Sequence, residues 1–136
     1  MRHFRFLYNI QKQNFEDLEI IFINDCSKDN SINVIEKYRK EDKRIILIKN
    51  KNNRGTFIAR NIGVIYSKGK YLILPDPDDI ISKNILYACL KFSEKNNYDI
   101  IKFNVYIGNR KVSQNNIYNK LVNKIIFKPK LSTYIY

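Results

Sequence analysis

The sequence predicts an α/β fold built on a mainly parallel sheet flanked by helices. Two observations carry that expectation. Short, β-branched apolar runs at Leu18–Asn24 and at residues 71–74 have the length and composition of strands buried on both faces. Segments with apolar residues at helical spacing separate these runs, which is the pattern of βαβ units. With 136 residues, the chain is long enough for one domain with a real core.

Residues 5–12 read as a short helix with Phe6, Leu7 and Ile10 on its apolar side. The first strand ends at a polar loop, residues 25–31, rich in helix-capping side chains. A helix to about Lys40 follows, with Ile32, Ile35 and Tyr38 inward. Residues 44–48 form the next strand, and residues 50–55 a polar loop. Residues 56–68 read as a helix with Ala59, Ile62, Gly63 and Tyr66 on one face and Gly69 as its C-terminal cap. After the strand at 71–74, Ser82 is placed to cap a helix to about Lys95, packed through Ile85, Leu86, Cys89 and Phe92. Residues 99–105 alternate apolar and polar side chains, as a half-exposed strand does.

Composition narrows the chemistry. Lys and Arg outnumber Asp and Glu by 25 to 13, a net charge of +12. Lys, Asn, Ile and Tyr are enriched along the whole chain together, so the excess reflects coding bias more than a selected face. No nucleic-acid partner is expected, although a preference for phosphates or anionic surfaces is compatible with the charge. The single histidine, His3, lies near the terminus, which argues against a Ser-His-Asp triad or a His-rich zinc site. Cys26 and Cys89 form no CxxC pair and read as reduced thiols. No apolar run approaches the roughly 18 residues of a membrane span, and the start lacks a signal-peptide pattern. The expected location is cytoplasmic, or the cytoplasmic face of a membrane.

Right-handed crossovers put the carboxyl ends of parallel strands on one edge, where ligands of such sheets bind. Asp25 and the acidic turn Asp76-Pro77-Asp78-Asp79 both follow strands, so both should meet at that edge. Carboxylates this crowded repel one another unless a cation sits among them. Mg²⁺ or Mn²⁺ suits the place, taking one or two carboxylates and completing its shell with phosphate and water. A solvated turn that caps the next helix is the plain alternative. Asp25 could accept hydrogen bonds from a base or ribose, or belong to a capping loop. Arg60 could reach a phosphate, or be an ordinary exposed helix arginine.

Four segments in order resemble family 2 glycosyltransferases of the GT-A type. They are the apolar run Glu19-Ile20-Ile21-Phe22-Ile23-Asn24 with Asp25-Cys26-Ser27-Lys28-Asp29, the stretch Asn53-Arg54-Gly55 with Ala59-Arg60-Asn61-Ile62-Gly63, the strand Gly69-Lys70-Tyr71-Leu72-Ile73-Leu74 with Asp76-Pro77-Asp78-Asp79, and Tyr8 to Phe15 as the end of a first helix. The likeness covers about residues 6–105. It implies a partial, Rossmann-like GT-A fold and a nucleotide-diphosphate sugar donor. On that likeness Asp25 would contact the nucleotide base and Arg60 would lie near the donor. Asp76 would face the ribose side and, with Asp78, hold the Mg²⁺ or Mn²⁺ that bridges the diphosphate. The sugar would pass to an acceptor hydroxyl on a glycan, lipid or protein.

Three departures qualify the likeness. Cys26 stands where glycine is common, so its turn must avoid a positive φ or bear the strain. The family's opening strand, central in the sheet, is missing, because Met1 falls at about the first helix. That loss should leave two inner strand edges without partners and invite self-association through exposed edges. Beyond Asp99 there is no Asp or Glu, so the family's general base is absent and no catalytic residue is assigned. Residues 1–107 are thus expected to be the nucleotide-sugar-binding part, and residues 108–136 a basic tail that either begins an acceptor-binding region or is a loosely packed extension. The expected function is a glycosyltransferase fragment, truncated at both ends, with catalysis either absent or dependent on another chain; a complete but short transferase with its acceptor site in the basic tail is the second reading. The alternatives are a non-catalytic basic module for RNA or acidic polymers and a truncated gene product without function.

Overall fold

The computed structural model describes residues 3–13, 15–76, 79–96, 101, 105–107, 110–112 and 131–135. Its elements are α1 (His3–Gln11), β1 (Leu18–Asn24), α2 (Ser31–Glu41), β2 (Ile45–Lys49), α3 (Thr56–Tyr66), β3 (Tyr71–Ile73), α4 (Ile85–Asn96), β4 (Val105–Ile107), β5 (Arg110–Val112) and β6 (Leu131–Ile135). The fold is α/β, as the alternation of apolar runs implies. Most of the strand expected at residues 99–105 lies outside the described residues.

Four strands form a parallel sheet in the order β2-β1-β6-β3, and β4 and β5 form a separate antiparallel pair. β1 is the best-buried strand because both of its faces are covered. Its alternate residues Leu18, Ile20 and Phe22 enter one core with Phe6, Leu7 and Ile10 of α1 and Leu86 of α4. Ile21 and Ile23 enter a second core with Ala59 of α3. The period-two alternation of a strand thereby places α3 on one face and α1 and α4 on the other. Phe6, Leu7 and Ile10 are each at most 2% exposed. Burying three such side chains favours docking of α1 by about 2 kcal/mol each. α2 lies along β2, and its Ile35 and Tyr38 pack at the margin of the first core.

The gap expected between the strands at Leu18 and Tyr71 does not exist. β6 fills it, running parallel to both neighbours, with Ile20 paired to Thr133 and Leu72 to Ser132. The inner edges of β1 and β3 are therefore satisfied by the C-terminal part of this chain. Residue 107 ends β4, and both its partner β5 and the inner strand β6 follow it.

Three side chains differ from the helical reading. Tyr66 is 60% exposed, and Ser67 is buried in its place. The inward stripe of α3 runs at spacing four through Ala59 and Gly63, which carries it to position 67. Ser67 also ends that helix in an extended conformation, donating its N–H to the Gly63 carbonyl, so Gly69 is not the cap. Phe92 is 54% exposed, whereas Ser93, seven residues after Leu86, is buried. Ser82 lies before the first turn of α4, where its carbonyl accepts the Gln13 side-chain amide at 2.9 Å and the Ile85 N–H at 3.1 Å.

One ion pair locks the entry to β2. Arg44 Nε and Nη2 grip the two oxygens of Asp42 at 3.0 and 2.8 Å, and Arg44 Nη1 donates to the Phe15 carbonyl at 3.1 Å. The guanidinium holds the Asp42 carboxyl below its ordinary range. Both side chains are largely covered, and their paired geometry is that of the stronger ionic hydrogen bonds.

Candidate active site

The carboxyl edge of the sheet gathers Asp25, the loop at residues 50–55, the start of α3 and the turn after β3. β1 and β2 run in register, so Asn24 and Lys49 end together. The Asn50 N–H continues the ladder by donating to the Asn24 carbonyl at 2.9 Å. That contact brings the Asn50 amide to Asp25, where it donates to Oδ1 at 2.7 Å. The Arg54 N–H bridges both Asp25 oxygens at 3.0 Å, and the Gly55 N–H donates to Oδ2 at 2.7 Å. These donors hold the Asp25 carboxyl below its ordinary value, the Asn50 amide foremost and the two backbone N–H groups after it.

Asp25 thus braces the loop that starts α3. Three protein donors make four contacts with its two oxygens, the Arg54 N–H being shared between them. Gly55 is the N-cap of α3 at φ 83° and ψ 160°, a region open to glycine and almost closed to other residues. Nothing stands within 4 Å of a Cβ built there, so backbone torsion and not space makes the position a glycine position. Cys26 adopts φ 63°, the left-handed conformation the sequence comparison flagged, and bears the strain that glycine would avoid.

An open cleft of about 550 Å³ lies against this brace. Ile23 and Ala59 contribute apolar walls, Asp25, Gly55 and Thr56 one polar rim, and Lys28 a cation. One turn into α3, Arg60 Nη2 donates to Asp76 Oδ1 at 2.9 Å, with the two side chains 40% and 52% exposed. The Asp76 turn closes on itself: the Asp79 N–H donates to the Asp76 carbonyl at 3.0 Å, and the Asp76 N–H to Asp79 Oδ2 at 2.9 Å. Asp78, expected beside Asp76 as a metal ligand, lies outside the described residues.

α3 therefore connects the two acidic places, its N-terminus held by Asp25 and its second turn by Asp76. β6 separates their strands, which lie about two strand spacings, roughly 10 Å, apart. Asn50 was missed in the sequence reading. Its one signal was a polar residue directly after β2, beside the strand that ends in Asp25. The cap contact of Asp79 was likewise hidden inside an acidic run.

Among the described residues, no three His, Cys, Asp or Glu side chains gather into a metal site. Asp76 and Asp79 do offer hard oxygens on one turn. Such a set fits a Mg²⁺-like ion that takes few protein ligands and fills its shell with phosphate and water. Neither Cys26 nor Cys89 is paired, and no helix among the described residues is long and apolar enough to cross a membrane.

A parallel sheet with an acidic turn, an arginine and a helix N-terminus at its carboxyl edge belongs to the class of open α/β domains that bind ligands at that edge. The model of glycosyl transferase family 2 matches residues 5–134, and the chain belongs to that family. It is 30% identical over 98 residues to glycosyltransferase GlyG of Streptococcus pneumoniae, covering 72% of this chain and 33% of GlyG. It is 32% identical over 108 residues to the minor teichoic acid biosynthesis protein GgaB of Bacillus subtilis, covering 78% of this chain and 12% of GgaB. The crystal structure of S. aureus TarS superposes with a TM-score of 0.66 at 25% identity, over 71% of this chain and 18% of TarS. This chain therefore spans a third or less of the length of each of these proteins.

Proposed function

We propose that this chain forms the donor-binding part of a glycosyltransferase that uses a nucleotide-diphosphate sugar. The observation that supports it most is the arrangement around α3, whose start is fixed by Asp25 while its Arg60 lies against Asp76 on the same sheet edge. A diphosphate arriving there meets the Arg60 guanidinium, which can hold phosphate oxygens in paired fashion. Lys28 adds positive charge to the cleft rim. Asp25 keeps the 50–55 loop and the α3 N-terminus in place, so the ligand meets a formed wall.

Asp76, Asp78 and Asp79 are the residues that would hold Mg²⁺ or Mn²⁺. When bound, the ion would neutralise charge that develops on the departing diphosphate. Until then, Asp76 orients Arg60 toward the same place. The acceptor is an anionic glycopolymer in this reading. Its support is the likeness to GgaB, whose name places it in minor teichoic acid biosynthesis. The proposed location, the cytoplasm or the cytoplasmic face of a membrane, is where nucleotide sugars are made.

Calorimetric titration of the folded chain with UDP- and GDP-sugars, with and without Mn²⁺, tests the donor reading. Saturable binding that strengthens with Mn²⁺ is expected. A folded sample that binds none of them, with or without Mn²⁺, overturns it. Tight RNA binding with a steep salt dependence would instead favour the basic-module alternative.

A further inference from the structure

Gln13 lies two residues past the end of α1 and is 6% exposed. A glutamine so deeply buried is uncommon, because its amide must find partners away from water. Its Nε2 donates to the Ser82 carbonyl at 2.9 Å, across 69 residues of chain, and turns back to the Asn9 carbonyl at 3.5 Å. Two carbonyls on that side fix which end of the amide is the nitrogen. Its Oε1 is buried and accepts from no donor among the described residues. The Ser82 carbonyl already takes the Ile85 N–H at 3.1 Å, so it needs no second donor. An orphaned buried acceptor is a penalty to the fold. Phe6, Leu7 and Ile10 of the same helix and Ile81, next to Ser82 in sequence, belong to one apolar core. A methionine would fill the same length there with no strong acceptor left over. Stability alone therefore does not account for this amide.

What the amide holds is a position. Residues 74–76 and 79–82 belong to no strand or helix, and they carry the acidic turn. The Asp76–Asp79 hydrogen bonds close that turn upon itself. Upstream, Arg60 reaches Asp76 through a half-exposed contact. Downstream, Ile81 is buried and Ser82, three residues after Asp79, is held by Gln13. The packing of Ile81 is non-directional, whereas a hydrogen bond fixes both distance and angle. We propose that Gln13 is a positioning residue for the divalent ion: by holding the Ser82 carbonyl, it sets where the Asp76–Asp79 turn presents its carboxylates. The inference rests on the donor reading, in which that turn carries Mg²⁺ or Mn²⁺. Ligand geometry is strict for such ions, Mg²⁺ above all. A turn displaced by about 1 Å loses affinity without losing the fold. Groups behind metal ligands commonly set affinity by about 10–100-fold, and Gln13, acting through a stretch of backbone, belongs at the lower end.

Gln13→Met in the full chain tests this, since it removes the amide and keeps the length of the side chain. Urea midpoints measure stability. Mn²⁺ titrations followed by EPR, with UDP and with GDP, measure metal binding by the folded protein. The expected result is a urea midpoint equal to or above that of the wild type, with Mn²⁺ held about tenfold more weakly. Gln13→Leu repeats both measurements should Gln13→Met disturb α1. Equal Mn²⁺ affinity in the wild type and the folded variants overturns the role of Gln13 and leaves the donor reading standing, whatever the midpoints do. Loss of the fold in both variants makes Gln13 a structural residue and overturns it as well. A wild type that binds no Mn²⁺ with either nucleotide defeats the donor reading first, and the role of Gln13 with it.

Discussion

Asp25 and Asp76 both follow parallel strands on one edge of one sheet, yet they serve opposite ends. Asp25 is half-buried and encircled by the Asn50 amide and the Arg54 and Gly55 N–H groups. Asp76 is half-exposed, and its side chain accepts from a guanidinium on a helix surface. A carboxylate tied to a neighbouring loop by one side-chain amide and two backbone N–H groups is a brace. A carboxylate facing solvent across a mobile cation can exchange that cation for another. The contrast separates residues that build a site from residues that use it.

The largest effect on stability is expected at the brace. Asp25→Asn keeps the shape but turns one acceptor oxygen into a donor facing backbone N–H groups. The loss should be about 2–3 kcal/mol, read from urea midpoints at pH 7. Acid provides the matching test. The folded Asp25 and Asp42 carboxyls lie below their ordinary values. Their contribution is therefore present above the unfolded pKa, about pH 4, and fades as pH falls through the lowered folded values. The wild-type chain should lose stability as pH falls below about 4, and Asp25→Asn should lose less on the same descent. An Asp25→Asn chain as stable as the wild type at pH 7 would make Asp25 no more a brace than Asp76.

Gly55→Ala attacks the same brace from the backbone. No atom blocks the new methyl, so the cost is torsional, about 2 kcal/mol for a non-glycine residue at that φ and ψ. Cys26→Gly acts in the opposite direction. It relieves a left-handed residue beside Asp25 and should raise stability by about 1 kcal/mol after the extra unfolded-state freedom of glycine is set against it. Thermal melts of the two variants should move to either side of the wild type.

How far the sequence reveals this arrangement depends on the range of the forces involved. β1 and α1 were legible because Ile20, Phe22, Phe6 and Ile10 carry their own periodicity. The glycine-like demand at Cys26 was legible because one residue's backbone preference decides it. The place of β6 was not, since Leu131–Ile135 resembles many short apolar runs and its slot is defined by β1 and β3, over fifty residues earlier. Tyr66 and Phe92 were assigned inward because hydrophobicity and near-helical spacing agreed. The observed stripes instead keep spacings of four or seven and bury Ser67 and Ser93. The bracing of Asp25 by Asn50 needed the register of β1 against β2, which no local pattern contains.

Asp76→Asn should change stability least, and for that reason it divides the two carboxylates most sharply. The Arg60–Asp76 pair is 2.9 Å long but 40% and 52% exposed. Surface pairs of this kind contribute about 0–1 kcal/mol, because water screens the charges and both side chains lose freedom in meeting. The melt of Asp76→Asn should therefore lie within about 0.5 kcal/mol of the wild type. Binding should behave differently. An amide is a poor ligand for a hard divalent ion and no longer orients Arg60 by charge, so Mn²⁺-dependent affinity for the nucleotide sugar should fall about tenfold or more, the equivalent of one lost ionic hydrogen bond. Manganese retained by the protein can be followed by its EPR signal without any turnover. Unchanged metal-dependent affinity in Asp76→Asn would remove Asp76 from the donor site, while a stability loss as large as that of Asp25→Asn would show that both carboxylates are braces.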